Sequence, residues 1–204
     1  MMPTDKDMEQ FKGKIFGIGF HKTGTTSLAA ALRLLGYHTV HGDSRKAEHG
    51  GDESVSLLRQ IEAGDYDLPT LSRYQAFTDN PYFSIWRQLH ARYPDARFIL
   101  TERDEPSWLS SCRRYYAGRR IRPMRRWMFG DHADPAESEQ AAQTWLHAYR
   151  RHNAAIRDHF GPDSEQLLIL NPIAGEGWDK LCPFLDVTRP DQPFPHSNKT
   201  LQPA

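Results

Sequence analysis

Apolar positions along the chain follow two patterns in alternation. Short runs of strand length stand at KIFGIGF (14–20), YHTVHG (37–42), RYQAFTDNP (73–81), ARFILTE (96–102) and QLLILN (166–171). Glycine, proline or polar turns bound them, as they bound strands buried on both faces. Between these runs the apolar residues recur every three to four positions, which predicts helices over 25–36, 53–64, 82–94, 105–118, 135–160 and 177–185. Gly36 and Gly64 close the first two helices. On the longest, Trp145, Tyr149, Ile156 and Phe160 form one stripe. Strands alternating with helices specify an α/β fold with a mostly parallel central sheet of about five strands and helices on both faces. The proline-rich tail from 187 is expected to lie extended on the surface. No repeat, low-complexity tract or linker divides the sequence, so residues 1–204 read as one domain.

Composition changes this picture little. Apolar residues are 38% and charged residues 25%, as in ordinary globular chains. The 26 Lys and Arg balance the 26 Asp and Glu, so no global charge draws nucleic acid. No apolar run approaches the roughly eighteen residues of a membrane span, and the opening MMPTDKDMEQFKGK is too polar for a signal peptide. The expected location is cytoplasmic. Cys112 and Cys182 lack metal-ligand spacing and read as buried free thiols; no metal site is expected. The oligomeric state is left open.

The chemistry concentrates in GFHKTGTTSLAAALRLLGYH (19–38), a glycine-bearing loop between the first strand and the first helix. The open amides of a helix N-terminus, together with its dipole, make such a loop an anion site. The dinucleotide pattern G-x-G-x-x-G would use Gly17 and Gly19, but its third glycine falls on Lys22. The Walker pattern G-x-x-x-x-G-K-[ST] fits Gly19, Gly24 and Thr26. Thr25 stands where its lysine belongs, and the lysine has moved into the loop as Lys22. There it is placed for the bridging region of a phosphate anhydride, while Thr25, Thr26 and Ser27 are placed to donate directly to a phosphate. FILTERD ends on Glu102 and Arg103, and the arginine suggests a second anion.

GFHKTGTTSL resembles the 5′-phosphosulfate loop of sulfotransferases that use 3′-phosphoadenosine-5′-phosphosulfate (PAPS), whose core is Lys-Ser/Thr-Gly-Thr-Thr. The resemblance implies a three-layer P-loop fold and a donor site made by Lys22, Thr23, Gly24, Thr25, Thr26 and Ser27, with no metal required. It also implies a 3′-phosphate clasp of a strand-ending arginine and a serine eight residues on, supplied here by Arg103 and Ser111, with Pro106 close behind the arginine. The sequence departs from the cytosolic branch at Ser27, where that branch carries a tryptophan that stacks on adenine. The ending NPIAGEGWDKLCPFLDVTRPDQPFPHSNKT is similar to a bacterial-type group. On that basis Gly175 and Gly177 are candidates for backbone contact with the nucleotide, and Asn198 and Lys199 for a phosphate.

In sulfuryl transfer an acceptor hydroxyl or amine attacks sulfur in line, so positioning and charge stabilisation dominate. Lys22 is the candidate for the departing oxygen. Asp79 is the candidate base: it follows a strand and precedes Pro81 by two, where the cytosolic branch carries a histidine. As a base it needs desolvation or a close acceptor. The competing reading is that Asp79 caps a helix starting near Pro81. His21 either touches the acceptor or merely flanks Lys22. Between Pro106 and Gly130 stand seven arginines (113, 114, 119, 120, 122, 125 and 126) and no acid, with Tyr115, Tyr116 and Trp127 among them. This stretch reads as a solvated, partly mobile face balanced by the acidic DHADPAESE, as a lid over donor or acceptor, or as a surface for a nucleic-acid strand. The expected acceptor is a small molecule, glycan or lipid, with no nucleic-acid partner. A P-loop kinase or NTPase and a nucleotide-binding module without chemistry remain as alternatives.

Overall fold

The computed structural model of the chain describes residues 10–42 and 53–196. Five strands, β1 (Ile15–Gly17), β2 (Thr39–His41), β3 (Ala76–Thr78), β4 (Arg97–Thr101) and β5 (Leu167–Leu170), form one sheet in the order β2-β3-β1-β4-β5. Every pairing is parallel. The described residues also form eight α-helices: α1 (Thr25–Leu34), α2 (Glu53–Glu62), α3 (Pro69–Arg73), α4 (Trp86–Arg92), α5 (Glu105–Tyr116), α6 (Pro123–Phe129), α7 (Glu139–Phe160) and α8 (Trp178–Leu185). The fold is α/β, in the P-loop-like three-layer arrangement read from the sequence.

Alternation along the strands divides the core into two faces. Phe16 pairs in register with Phe77 and Phe98, and the ring centroids lie 5.0 and 5.4 Å apart. This aromatic row joins Trp145, Tyr149 and Ile156 of α7 in one cluster, and Phe160 packs at its border. Ile15, Ala76 and Ile99 face the other way, onto Leu28 and Leu32 of α1 and Leu181 and Leu185 of α8. β1 is therefore buried on both sides, which explains its unbroken apolar run.

Helix boundaries depart from the periodicity where local chemistry overrides it. α7 begins at Glu139 rather than 135, because the Ser138 hydroxyl accepts from the Ala141 amide at 3.0 Å and caps the helix. α4 begins at Trp86, not at 82. The segment before it turns back on Pro81, whose carbonyl accepts from both the amide and the hydroxyl of Ser84. It also buries Tyr82 and Phe83, neighbours in sequence that one helix stripe cannot serve together. α3 and α6 were not expected. Each opens on proline and is too short for a periodic signal. In α6, Met124, Arg125 and Phe129 are buried, so this part of the arginine-rich stretch is folded against the core, contrary to the reading of it as a solvated mobile face.

The topology positions the site. From β1 the chain first builds β2 and β3 on one side, then crosses to β4 and β5 on the other. The loops leaving β1 and β4 therefore flank a topological switch point, where open α/β sheets bind ligands. Gly19, two residues past β1, runs so close to β4 that a Cβ there would lie 2.1 Å from Thr101 Oγ1 and 2.4 Å from its carbonyl oxygen. Gly19→Ala is expected to cost about 1–3 kcal/mol of stability as overpacking against backbone, read as a lowered urea midpoint at unchanged slope; an unchanged midpoint would contradict the close approach.

Candidate active site

The loop between β1 and α1 is held from inside. Thr23 is fully buried, and its hydroxyl donates to the Phe20 carbonyl at 2.5 Å. Its oxygen also lies 2.6 Å from Thr101 Oγ1. With the Thr23 proton committed, Thr101 is the donor in that pair. Any part Thr23 has in binding an anion thus falls to its backbone. Gly24 precedes α1 with a left-handed φ of 100°; among the described residues no side chain caps the helix, and no acid stands in its first turn. Uncapped first-turn amides of this kind can receive an anion. Thr25 and Ser27 are buried, whereas the Thr26 hydroxyl meets His41 Nε2 at 3.2 Å.

Lys22 adopts φ 67°, rare for a side-chain-bearing residue. Its ammonium sits 4.1 Å from the Tyr115 ring centroid, a cation–π contact, and Arg119 covers the same ring at 4.2 Å. Burial lowers the Lys22 pKa, and the charges of Arg103 and Arg119 add to this against Asp79. Arg103 leaves the end of β4 with its backbone pinned by Tyr149, whose hydroxyl accepts from the Arg103 amide and donates to its carbonyl. The Arg103 guanidinium reaches toward the Lys22 carbonyl at 3.5 Å, so both candidate anion ligands share one crevice. Among the described residues neither has a carboxylate within ion-pairing distance.

Arg103 Nε donates to Ser107 at 2.5 Å. The hydroxyl that meets the arginine is thus Ser107, four residues on, while Ser111 is buried one turn further along α5. The signal for Ser107 lay in the helix start: Asp104 caps α5 through the Ser107 amide, which puts that side chain back beside residue 103. Cys112, on the same helix, is a buried free thiol whose pKa burial raises.

Asp79 directly follows β3 at φ 69°. Its carboxylate accepts from the Asn80 amide at 2.7 Å and lies 3.6 Å from His41 Nε2. The helix-capping reading fails, since α4 starts seven residues on with Ile85 at its N-cap. The charge of Asp79 acts on Lys22, His21 and Tyr116, which places it on the Lys22 side of the crevice. His21 is enclosed by the rings of Phe20, Phe83, Tyr116, Phe129 and Trp145, and among the described residues neither ring nitrogen has a partner. Of the late glycines, Gly177 is explained by packing, because a Cβ there would lie 2.7 Å from Phe194, while Gly175 takes a left-handed turn. Asn198 and Lys199 lie outside the described residues. Two of the seven arginines pair with the acidic segment that follows them, Arg113 with Glu139 at 2.7 Å and Arg126 with Asp131 at 3.4 Å.

The profile of the sulfotransferase domain matches residues 14–202. This chain belongs to the sulfotransferase domain family. Among curated proteins, this sulfotransferase domain is similar to "Ava biosynthesis cluster protein M" of Aspergillus versicolor, with 26% identity over 90% of the chain and 80% of the relative. No helix among the described residues of the domain is long and apolar enough to cross a membrane.

Two buried histidines make the stability of the domain pH-dependent. Burial holds both His21 and His152 at about 4, in His152 against the bond from Nε2 to the Ile18 carbonyl. Because the folded values are depressed, the unfolded chain takes up these protons first. Stability is thus full above about pH 6.5 and falls as pH drops toward 4, by at most about 1.4 kcal/mol per unit for each histidine. Urea titrations across that range are expected to show the loss, and His21→Phe is expected to reduce it by about half, His152 supplying the rest; a pH-independent wild type would contradict the buried neutral rings.

Proposed function

We propose that this chain, acting as one domain, transfers a sulfuryl group from PAPS to a hydroxyl or amine of a small-molecule acceptor. The observation that carries the reading is the pair of cations without carboxylates, Lys22 and Arg103, in one crevice at the switch point. Buried or half-buried cations left unpaired are costly, and a donor with one anionic group at each end offsets both. The open first turn of α1 supplies amides for the 5′-phosphosulfate, with Thr25, Thr26 and Ser27 beside it. Arg103, with Ser107 and Ser111 on the adjoining face of α5, suits the 3′-phosphate.

The chemistry then needs charge stabilisation and a base. The acceptor oxygen or nitrogen forms the bond to sulfur while the bridging S–O bond breaks, its electron pair staying on the 5′-phosphate oxygen. Lys22 meets the charge that develops there. Asp79 takes the acceptor proton. The outcome is a sulfated acceptor and adenosine 3′,5′-bisphosphate.

One observation favours a second reading as a P-loop kinase or NTPase. β3 neighbours β1 and is followed by Asp79, a place from which an acid holds magnesium beside a hydroxyl such as Thr26. Thr25 at the Walker lysine position counts against it.

Calorimetry separates the readings. Adenosine 3′,5′-bisphosphate is expected to bind without magnesium and more tightly than Mg-ATP; the reverse preference would overturn the sulfotransferase reading. With labelled PAPS and a pool of acceptors, Lys22→Ala is expected to lower transfer by about 10²–10³-fold and Asp79→Asn by about 10²–10⁴-fold, with unchanged thermal melts. Full transfer in Asp79→Asn would reject that residue as the base.

A further inference from the structure

β2 ends on His41, and the parallel register sets it beside Thr78, the last residue of β3 and the one before Asp79. The Gly42 amide donates to the Thr78 carbonyl at 2.7 Å and holds the two strand ends together. Three side chains converge on the His41 ring. Nδ1 lies 2.8 Å from the Thr78 hydroxyl oxygen. Nε2 lies 3.2 Å from the Thr26 hydroxyl and 3.6 Å from Asp79 Oδ2. One ring thus joins the first turn of α1, which we assign to the 5′-phosphosulfate, to the residue we assign as base.

A neutral imidazole carries one ring proton, and its place decides what Nε2 can do. With the proton on Nδ1, the ring donates to Thr78, the Thr78 proton turns to the Val40 carbonyl at 3.4 Å, and Nε2 accepts from Thr26. Nε2 then turns a lone pair toward the Asp79 carboxylate, and two acceptors repel. With the proton on Nε2, the Thr78 hydroxyl donates to Nδ1 instead, and Nε2–H becomes a donor for Asp79. The ring proton and the Thr78 proton have acceptors in both arrangements, so the choice falls to Thr26. Its hydroxyl has a single proton. A phosphate oxygen on the first turn of α1 accepts that proton more strongly than a neutral imidazole does. The Nδ1–H arrangement then loses its bond from Thr26, while the Nε2–H arrangement keeps its donation to Asp79. The His41 side chain is 25% exposed, so the ring proton exchanges through solvent.

We propose that His41 is a positioning residue: an anion that takes the Thr26 proton shifts the ring to its Nε2–H tautomer, which then fixes the Asp79 carboxylate. The Asn80 amide already holds Oδ1 at 2.7 Å, and His41 approaches Oδ2. Bonds to both oxygens set the orientation of the group, and each oxygen keeps a lone pair for the acceptor proton. The role rests on the sulfotransferase reading and deepens it, since donor binding then sets the base before the acceptor reacts.

The test uses the full chain and adenosine 3′,5′-bisphosphate, whose 5′-phosphate stands for that of PAPS. Nitrogen-15 NMR of the imidazoles is run at about pH 8.5, where an ordinary histidine is neutral. The His41 signal is assigned by its loss in His41→Gln. It is expected to report Nδ1–H in the free protein and Nε2–H at saturation. Thr26→Val, which keeps the side-chain shape without the hydroxyl, is expected to report Nε2–H in both. With labelled PAPS and a pool of acceptors, His41→Ala is expected to lower kcat about tenfold and to change KM for PAPS by no more than about twofold. His41→Gln, which keeps an N–H near the place of Nε2, is expected to recover most of that loss. In an Asp79→Asn background His41→Ala is expected to add no more than about twofold, because a residue acting through Asp79 has nothing left to position. Thermal melts check that each variant folds.

One His41 tautomer with and without bound bisphosphate, equal losses in His41→Ala and His41→Gln, or the full tenfold loss in the Asp79→Asn background would overturn the role. Two other results fall on the underlying reading and are seen without any His41 variant. If the bisphosphate does not bind, the donor site falls, and if Asp79→Asn transfers at full rate, the base falls; either takes the role of His41 with it.

Discussion

The contact on which the site depends is the close approach of the loop after β1 to the end of β4. Gly19 lies against the Thr101 backbone, and the Thr23 hydroxyl bridges from the Phe20 carbonyl to the Thr101 side chain. These groups are buried, so the bonds form out of water, and leaving any partner unmet would cost about 1–3 kcal/mol. The consequence is geometric. Lys22 departs from the loop and Arg103 from the strand two residues past Thr101, and the bridge fixes one against the other. Tyr149 extends the same frame by gripping both backbone polar groups of Arg103 from α7. A ligand that needs both cations finds their spacing already set, so less of its binding energy goes into ordering them.

The rings around this frame also shape its electrostatics. Lys22 and Arg119 both rest against the Tyr115 ring, so two like charges share one aromatic partner, and among the described residues neither pairs with a carboxylate. Tyr116 does the same for Arg125, which is buried and donates to the carbonyls of Arg119 and Arg120. Aromatic faces and carbonyls hold cations without cancelling their charge, whereas an ion pair would cancel it. The outer arginines behave differently: Arg113 and Arg126 meet acids from the segment that follows. The basic stretch therefore divides into a neutralised rim and an inner part that keeps its positive field toward the crevice.

Much of this was legible in the sequence because it rests on continuous patterns. Apolar runs marked all five strands, and the spacing of glycines, Lys22 and hydroxyls marked the loop between β1 and α1. What escaped the sequence depends on single contacts. Arginine content masked α6, whose burial comes down to Met124, Arg125 and Phe129. Ser107 escaped because its meeting with Arg103 follows from the cap at Asp104, and a spacing of eight points past it to Ser111. Thr23 resembles its neighbours in sequence, yet its hydroxyl turns inward while Thr26 turns to His41. No periodicity separates those two; only the path of the loop does.

Asp79 and Lys22 carry opposite charges on one side of the crevice and still do not pair. Each is held away by other partners: Lys22 by the Tyr115 ring, Asp79 by the Asn80 amide and by the approach of His41. Both sit at left-handed φ, a conformation costing a side-chain-bearing residue on the order of 1 kcal/mol. A relaxed backbone at either position would swing its side chain elsewhere, and a direct ion pair would spend both charges on each other. Kept apart, the ammonium remains available to a departing oxygen and the carboxylate to an arriving proton. For an in-line transfer these are the two ends of the reaction axis, so separation of the pair is what the proposed chemistry requires. The strain at two non-glycine residues, otherwise a plain loss of stability, then has a use.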